Sequence, residues 1–434
     1  MTAGDARRRD GEREAPEGAP PPVTRRNFVL GVLHGWFLAG GLAFADPYTV
    51  LPVFVRHVTG ASWVVGLAAP LLRGGGFLPQ VFTARYAETL RRQKPLLIGV
   101  MAVRFLAWVG IAAVTYGLAG RAPALALGTV FALLLVFSLA GGVGAVPFQE
   151  LFARLFPPTL RGRFLAVRQL GGGALAVAAG LLVGRILERP APFEARYGLL
   201  FLLSAGTMAV GFAALALVAE PVQAPARERP EPLGPYLRRL AGLLRADRRL
   251  RRLLTAELLA RTIHLCLPFL VLDFRGRFGL GTAFVGTALS ANMAGQLVSN
   301  LWWGRLSDRL GNRAVVLAVN TLAAVTAAGA LLAPSPAAAL AVFAVAGAVL
   351  AGNAIGYVNF LLELAPADRR PAYIALRGTV TAPMLFLGVP GGLLVDRFGY
   401  GAVEGLALAG AVGAIAAAAA LPCLRRTPEA GARP

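Results

Sequence analysis

The chain has 434 residues, of which 56% are hydrophobic and only 15% are charged, and its mean hydropathy is positive. A soluble domain averages about 25% charged residues, so the composition excludes an ordinary soluble protein. The net charge of +21 would suit a nucleic-acid-binding protein, but that function needs a basic patch on a soluble fold. Here the arginines punctuate apolar stretches, which predicts an integral membrane protein.

Residues 1–26 are rich in Arg, Glu, Pro and Gly, and we expect a disordered cytoplasmic tail. From Phe28 onward the chain becomes a series of apolar segments, each near the roughly 20 residues that cross a bilayer. Because backbone groups in lipid must hydrogen-bond internally, each segment is a predicted helix. The predicted spans are 28–55, 63–84, 95–117, 123–148, 164–187, 197–219, 253–275, 283–303, 314–333, 338–363, 372–396 and 400–423. The predicted fold class is therefore an all-α integral membrane protein with twelve transmembrane helices.

The spans divide into two groups of six. The predicted domains are an N-terminal bundle at 27–219, a linker at 220–252, a C-terminal bundle at 253–424 and a cytoplasmic tail at 425–434. The linker places leucines at helical spacing among arginines, which favours a basic amphipathic helix against anionic headgroups of the inner leaflet. A solvated charge run is the alternative.

The distribution of arginines predicts the orientation. With a cytoplasmic N-terminus, the inner segments hold 32 of the 43 basic residues and the outer loops hold 8. Both termini are therefore expected in the cytoplasm, and the protein in the inner membrane. Cys266 and Cys423 are too few and too distant in sequence to suggest a disulfide framework or a metal site. We expect no cofactor and no metal.

Polar groups inside the spans are costly in lipid and tend to face a cavity. In the first span, His34 lies in the inner half, and Asp46 precedes Pro47, which should kink the helix and free a carbonyl near the acid. Arg73 and Arg104, in spans two and three, are interpreted as structural.

Span seven carries Glu257, Arg261, His264 and Pro268 at positions i, i+4, i+7 and i+11, which share one face of an α-helix. His264 falls roughly 16 Å into the membrane, near its centre. We predict that it exchanges a proton or contacts the substrate, with Glu257 and Arg261 tuning it. The alternative for Glu257 and Arg261 is a simple intrahelical ion pair.

The loop after span eight reads Gly304-Arg-Leu-Ser-Asp308-Arg309-Leu-Gly311-Asn-Arg313. It resembles the signature loop of the major facilitator superfamily, G-x-L-S-D-R-x-G-x-R, at every fixed position. Gly304 should allow close helix approach, and Gly311 should take a positive φ. The first half keeps an acid, Glu88, but has Ala84 where the second half has Gly304.

The halves also repeat each other, because Gly66, Gly75 and Glu88 align with Gly286, Gly295 and Asp308 at one constant offset. The resemblance covers residues 27 to 424. It implies two pseudo-symmetric six-helix bundles with a central cavity lined by spans one, four, seven and ten. The predicted substrate and coupling residues are therefore His34, Asp46, Glu257, Arg261, His264, Asn353 and Tyr357.

The resemblance also implies a cytoplasmic gate. Asp308 would meet the start of span five near residues 163–168, and its pseudo-symmetric counterpart Glu88 would meet Arg377. Asp308 pairing only within its own loop, with Arg305 or Arg309, is the alternative. The predicted gate residues are Glu88, Gly304, Asp308, Arg309, Arg313, Arg168 and Arg377.

The predicted function is secondary transport of a small solute by alternating access, without enzymatic activity. No nucleotide-binding G-x-x-x-x-G-K-[ST] loop occurs. Proton-coupled export by a drug-efflux-like branch, acting as a monomer, is the first hypothesis. The alternatives are a facilitator or symporter for a metabolite and, in another class, a non-transporting membrane sensor or assembly factor. A sensor would not need buried acids, so acids packed away from any cavity would favour it.

Overall fold

The computed structural model describes residues 22–76, 79, 83, 86, 90–221, 233–366 and 369–423. Helices dominate these ranges, as the sequence predicts. In the N-terminal half they are α1 (Pro22–Ala43), α2 (Val50–Val58), α3 (Ser62–Gly66), α4 (Ala68–Arg73), α5 (Lys94–Leu118), α6 (Pro123–Leu155), α7 (Pro158–Leu187) and α8 (Phe193–Ala216). In the C-terminal half they are α9 (Leu233–Ala246), α10 (Arg248–Ala260), α11 (Leu270–Arg277), α12 (Ala283–Leu310), α13 (Asn312–Leu332), α14 (Pro336–Leu364), α15 (Arg370–Thr381), α16 (Gly388–Phe398) and α17 (Tyr400–Ala419).

Nine helical segments in these ranges are long and apolar enough to cross a membrane. The other three predicted spans differ from that standard in different ways. Residues 28–55 are divided between α1 and α2, residues 63–84 begin with the short helices α3 and α4, and residues 283–303 belong to the more polar α12. The chain is thus a multi-pass helical membrane protein.

Pro47 interrupts the first predicted span, as expected. The helix α1 ends at Ala43, and α2 begins only at Val50. Proline has no N–H to continue the helical ladder, and the carbonyl of Ala43 accepts a hydrogen bond from the Asp46 amide at 3.3 Å instead. The break places the Asp46 carboxylate inside the protein, where only 3% of the residue is exposed.

Span seven is not the continuous α-helix that the stripe of Glu257, Arg261, His264 and Pro268 requires. The helix α10 ends at Ala260, a 3-10 turn covers Arg261–Leu265, and α11 starts at Leu270. The tighter turn changes the angle between successive side chains, so the predicted single face is wrong beyond Arg261. Span eleven has a similar 3-10 segment, Ala382–Leu387, between α15 and α16.

The two halves meet most closely along α7 and α12, which run antiparallel. Gly184 lies against Gly286, Gly180 against Ser290, and Gly173 against Leu297. An added Cβ on Gly286 would overlap the backbone of Gly184, so the glycines permit this backbone contact.

The halves also meet where α3 packs against α16. Gly66 lies against the backbone of Gly388. Hydrogen bonds close the same end of the molecule: the Ser62 amide donates to the Asp396 carboxylate at 3.0 and 3.1 Å, and the Thr282 hydroxyl donates to the Leu187 carbonyl at 2.8 Å. The end of the molecule that carries these loops is therefore closed.

The tail and linker depart from the predicted bounds. The first helix begins at Pro22, so residues 22–26 of the predicted tail are helical; residues 1–21 and 424–434 lie outside the described ranges. In the linker, α9 buries Leu240 against a C-terminal cluster that includes Leu250 and Tyr373, and it exposes Arg238 and Arg245. The apolar face of the amphipathic helix thus packs, at least at Leu240, on protein.

Candidate functional site

The breaks in the first and seventh spans bring the two halves together at a buried hydrogen bond. Tyr48, in the turn between α1 and α2, and His264, in the 3-10 turn after α10, are 3% and 7% exposed. The Tyr48 hydroxyl lies 3.2 Å from His264 Nδ1, and their rings are stacked with centroids 6.0 Å apart. A titratable imidazole of one half therefore contacts the other half directly.

Asp46 extends this contact on the N-terminal side. Its Oδ1 accepts hydrogen bonds of 2.9 Å from the Tyr48 amide and from the Thr49 hydroxyl, while Oδ2 lies 3.9 Å from a guanidinium nitrogen of Arg73. The Arg73 guanidinium also lies 5.2 Å from the centre of the Tyr48 ring. Asp46, Arg73, Tyr48 and His264 form one continuous group, which we call the junction cluster.

Glu257 forms a second buried group, within the C-terminal half. Its Oε1 accepts from Arg261 at 2.8 Å and from Arg377 at 2.7 Å, and its Oε2 accepts from Arg377 Nε at 2.8 Å. The i,i+4 ion pair that was the alternative for Glu257 and Arg261 is therefore present. Arg377 has Glu257 as a bidentate partner, which differs from its predicted place opposite Glu88; Glu88 lies outside the described residues.

Tyr357 and Asn353 have different surroundings on α14. The Tyr357 side chain is fully buried, and its hydroxyl lies 3.2 Å from the Ala256 carbonyl and 3.1 Å from Asn320 Oδ1. It packs between helices of one half, which contradicts its predicted place in the cavity wall. Asn353 remains a candidate, because its buried Oδ1 has no hydrogen-bond partner among the described residues.

His34 lies at the centre of a basic and aromatic group in the N-terminal half. Its ring is 5.2 Å from that of Phe148 and 6.4 Å from that of Phe212. The Arg168 guanidinium lies 5.0 Å from the centre of the Phe148 ring, and that of Arg104 lies 5.8 Å from the Phe212 ring. Each phenyl ring therefore contacts the imidazole and one guanidinium.

A cavity of about 270 Å³ opens beside Arg104. It lies between the segment around α4 and helices α5 and α6. Two arginines, one phenylalanine, one serine and small residues surround it: Leu72, Arg73, Gly76, Arg104, Phe137, Ser138, Gly141, Gly142 and Ala145. Arg73 connects this cavity to the junction cluster. Two guanidiniums thus face a space large enough for a small solute.

The predicted gate loop is open in this conformation. Asp308 is exposed, and no atom lies within 4 Å of the position that a Cβ on Gly304 would occupy. Helix α12 continues through Gly304 to Leu310, so this glycine neither ends the helix nor packs closely here. Gly311 has the predicted positive φ, +82°.

The arginines predicted for the gate lie in different places. The Arg313 guanidinium donates to the Ala419 carbonyl at 2.6 Å and lies 3.3 Å from Cys423 Sγ, so it holds the end of α17 within its own half. Arg168 is directed toward Gly35 and Phe148. Arg309 is exposed. None of the ion pairs in the described ranges involves Asp308.

Sequence reasoning missed Tyr48 and a third ionic group near the closed end. Arg277 forms ion pairs with Asp273 and, at 3.7 Å, with Glu404, which is 1% exposed. Asp273 and Glu404 could have been singled out from the sequence, because both are acids inside predicted spans. Tyr48 gave no such signal, because an aromatic residue beside a helix break is common in a core. Among the residues described, no group of three or more His, Cys, Asp or Glu could hold a metal ion.

The comparisons with known proteins point to one superfamily. Residues 258–434 match the model of the Major Facilitator Superfamily. Uncharacterized proteins of Mycobacterium bovis and Mycobacterium tuberculosis are 25% identical over 303 residues, which covers 68% of this chain and 56% of each relative. The match thus spans little more than half the length of these curated relatives.

Solved transporter structures share the fold. The nucleoside transporter NupG (D323A mutant) has a TM-score of 0.69 at 14% identity, with 92% of this chain and 98% of that chain covered. The D-xylose–proton symporter has 0.68 at 14%, covering 92% and 97%, and a bacterial homologue of the iron transporter ferroportin, inward-facing, has 0.65 at 16%, covering 92% and 98%. The match of residues 258–434 agrees with the superfamily whose signature loop this sequence resembles, whereas the drug-efflux branch is not confirmed.

Proposed function

We propose that this major facilitator superfamily protein moves a small solute across the inner membrane by alternating access, with a proton as the coupling ion and export as its direction. The observation that carries the proposal is the Tyr48–His264 contact of 3.2 Å between the halves. An imidazole that changes charge changes which hydrogen bonds it accepts and donates. Protonation of His264 would therefore act directly on the interface that must rearrange during transport.

The roles of the other residues follow from their surroundings. Asp46 is the acid of the junction cluster, so it is the second candidate to carry the proton. Glu257 and Arg261 hold the 3-10 turn that carries His264, and Arg377 secures them. Asn353 remains a proposed substrate contact. Glu257 packed among arginines agrees with the sensor alternative, but Asp46 is paired with an arginine that lines a cavity, which favours transport.

Transport is tested with purified protein and a panel of solutes. Thermal-shift measurements at two pH values identify solutes that stabilise the protein, since a ligand that binds only the folded state raises the midpoint. Hits are then assayed in proteoliposomes with an imposed pH gradient and an internal pH dye. We expect solute movement accompanied by proton movement. Solute flux that is indifferent to the gradient supports the facilitator instead, and no flux for any stabilising solute supports the sensor.

The orientation is tested at α9. With both termini in the cytoplasm, a cysteine introduced at the exposed Ala241 should resist an impermeant maleimide added to intact cells and react after the cells are opened. Cys423 is exposed and is replaced by serine first. Labelling of Ala241→Cys from outside intact cells would reverse the proposed topology.

In that orientation the closed end is extracellular and the exposed signature loop is cytoplasmic, which corresponds to an inward-facing state. Gly286→Val should then oppose closure at the extracellular end. Overpacking costs about 1–3 kcal/mol, and applied to one state it shifts the equilibrium by about 5–150-fold. We expect slower transport and faster external labelling of a Ser290→Cys reporter at this interface.

Gly206→Val is the matched control, because no atom lies within 4 Å of a Cβ at that helical glycine. It should leave labelling and transport close to those of the parent. Equal labelling of the reporter in the Gly286 and Gly206 variants would show that the α7–α12 contact does not govern closure.

Asp308 is proposed as a latch of the opposite, outward-facing state. On the antiparallel helices α7 and α12, Gly173 lies opposite Leu297 and Gly180 lies opposite Ser290. The same pairing, extended along both helices, brings Asp308 opposite Gly162, in the first turns of α7. The helix N-terminus and the neighbouring arginines would both favour its carboxylate there. Asp308→Asn should therefore raise the inward-facing population.

A cysteine at Asn300, on the cytoplasmic part of α12, measures that population by its labelling rate in inside-out vesicles. The loss of two hydrogen bonds worth about 1 kcal/mol each would shift the equilibrium, and with it the labelling rate, by roughly thirtyfold. Asp308→Glu keeps the charge and serves as the control. A labelling rate unchanged by Asp308→Asn would count against the latch.

A further inference from the structure

Three buried basic groups of the N-terminal half lack hydrogen-bond acceptors among the residues that the structure describes. Arg104 Nε, Arg168 Nε and His34 Nδ1 are all buried without a hydrogen-bond partner, and neither guanidinium has an ion-pair partner among the residues described. The Phe148 ring lies beside both His34 and Arg168, and the Phe212 ring lies beside both His34 and Arg104, so the three groups share one region. A buried donor without an acceptor is costly, more so when it is charged. Such a group calls for an anion that the chain itself does not supply.

The phenyl rings cannot meet this need. Arg104 lies 4.1 Å from the centre of the Phe137 ring, and Arg168 lies 5.0 Å from that of Phe148. A ring stabilises a guanidinium by contact with its face, but it accepts none of the N–H bonds in the guanidinium plane. Those N–H groups form the fork that binds a carboxylate or phosphate through two oxygens. The rings therefore hold the arginines in place and leave their binding edges free.

The surrounding backbone is shaped for these arginines. A Cβ on Gly35 would overlap the Arg168 side chain, and one on Gly141 would lie 3.7 Å from the Arg104 guanidinium carbon. The close backbone approach of Gly142 to Gly76 forms a wall of the cavity beside Arg104. Glycines thus make room for the charged groups and for the cavity that they border.

We propose that Arg104, with Arg168 and His34 behind it, forms the binding site for an organic anion with an apolar body. Its charged group would meet the Arg104 fork, and its body would lie against Phe137 and the small residues of the 270 Å³ cavity. Arg73 borders the same cavity but already has Asp46 at 3.9 Å. The inference rests on the proposed transport function, since it names the class of solute that the chain moves.

Benzoate is the test ligand, with benzamide as a neutral analogue of nearly the same shape. The full-length protein in an uncharged detergent is titrated with each, and binding is followed by calorimetry and by the shift of the thermal midpoint. We expect benzoate to bind and raise the midpoint, and benzamide to bind at least about tenfold more weakly, because it offers no charge to the guanidinium. No binding of benzoate at millimolar concentration, or equal binding of both compounds, would overturn the anion site.

Arg104→Met and Arg168→Met identify the residues responsible. We expect each to weaken benzoate binding at least about tenfold while leaving the thermal midpoint of the ligand-free protein near the parent value. Arg185→Met, at an exposed arginine near the other end of α7, is the control and should bind normally. Should Arg104→Met fail to fold, Arg104→Lys keeps the charge without the fork and should bind with intermediate affinity. Parental affinity in the Arg104 variants would refute the assignment.

This binding experiment is independent of transport. Benzoate binding without flux in proteoliposomes would leave the anion site standing and reject the transport function. If Arg104→Met protein pumps a neutral solute at the parental rate, the transport function stands and the anion site is not the site of the transported solute.

Discussion

Glu257→Gln is expected to lower the free energy of unfolding by about 3–5 kcal/mol, the usual loss when one partner of a buried ionic group is removed. Glu257 is 1% exposed, and both of its carboxylate oxygens accept from arginines. Glutamine has a similar shape but leaves Arg261 and Arg377 without a counter-charge. Because Arg261 lies at the break in span seven and Arg377 lies on α15, their repulsion should loosen the C-terminal half.

The measurement is thermal and chemical unfolding of purified protein, with folding checked by gel filtration. Glu188→Gln, at an exposed acid beyond the end of α7, is the control and should change stability by no more than about 0.5 kcal/mol. Arg377→Gln should cost less than Glu257→Gln, since Glu257 keeps its 2.8 Å bond to Arg261. If the Glu257→Gln protein is as stable as the control, the ionic group of Glu257, Arg261 and Arg377 does not stabilise the C-terminal half.

Local features of this fold follow from the sequence. Pro47 ends a helix through its own ring, and Gly311 takes a positive φ that glycine tolerates better than other residues. Arg261 reaches Glu257 because it follows the end of α10 only four residues, about one helical turn, later. Each of these depends on neighbours along the chain. They could be predicted without knowing how the helices pack.

The partners across the fold could not be predicted. Arg377 is 120 residues from Glu257, and Tyr48 is 216 residues from His264. Span seven changes from α-helix to 3-10 turn at residue 261, which changes the direction of the His264 side chain. The spacing of residues in the sequence does not predict this change. Packing of distant segments decides such contacts, and many partners of similar polarity compete for them.

The proposed gate illustrates a different limit, because a latch makes its contacts in only one conformational state. If the loop latches the outward-facing state, as we propose, it need not be latched in the conformation described here. In this conformation Gly304 faces open space and Asp308 is exposed. A sequence pattern can contain residues that make contacts in either conformational state, whereas a single structure shows the contacts of only one state.

His264→Ala is expected to abolish accumulation of solute driven by a pH gradient while leaving solute exchange in the absence of a gradient. With one proton moved per solute, one pH unit sustains about tenfold accumulation, equivalent to about 1.4 kcal/mol, and the variant should show none. The physical reason is the position of the imidazole. His264 contacts Tyr48 of the other half, Arg73 lies over the same Tyr48 ring, and Arg261 belongs to the same 3-10 turn as His264. A gained proton would therefore be repelled by both arginines and would disturb the interface.

Tyr48→Phe separates this mechanism from simple packing. It keeps the stacked ring but removes the hydroxyl that lies 3.2 Å from His264 Nδ1, so accumulation should fall to an intermediate level with normal folding. His57→Ala is the matched control, because that histidine is exposed and stacks on Phe193 away from the junction cluster. It should accumulate solute like the parent. If His264→Ala protein still concentrates solute when driven by pH, the proton is carried elsewhere, and Asp46 becomes the residue to replace next. Because Asp46 reaches the same interface through Tyr48 and Arg73, the junction cluster could still couple protonation to rearrangement.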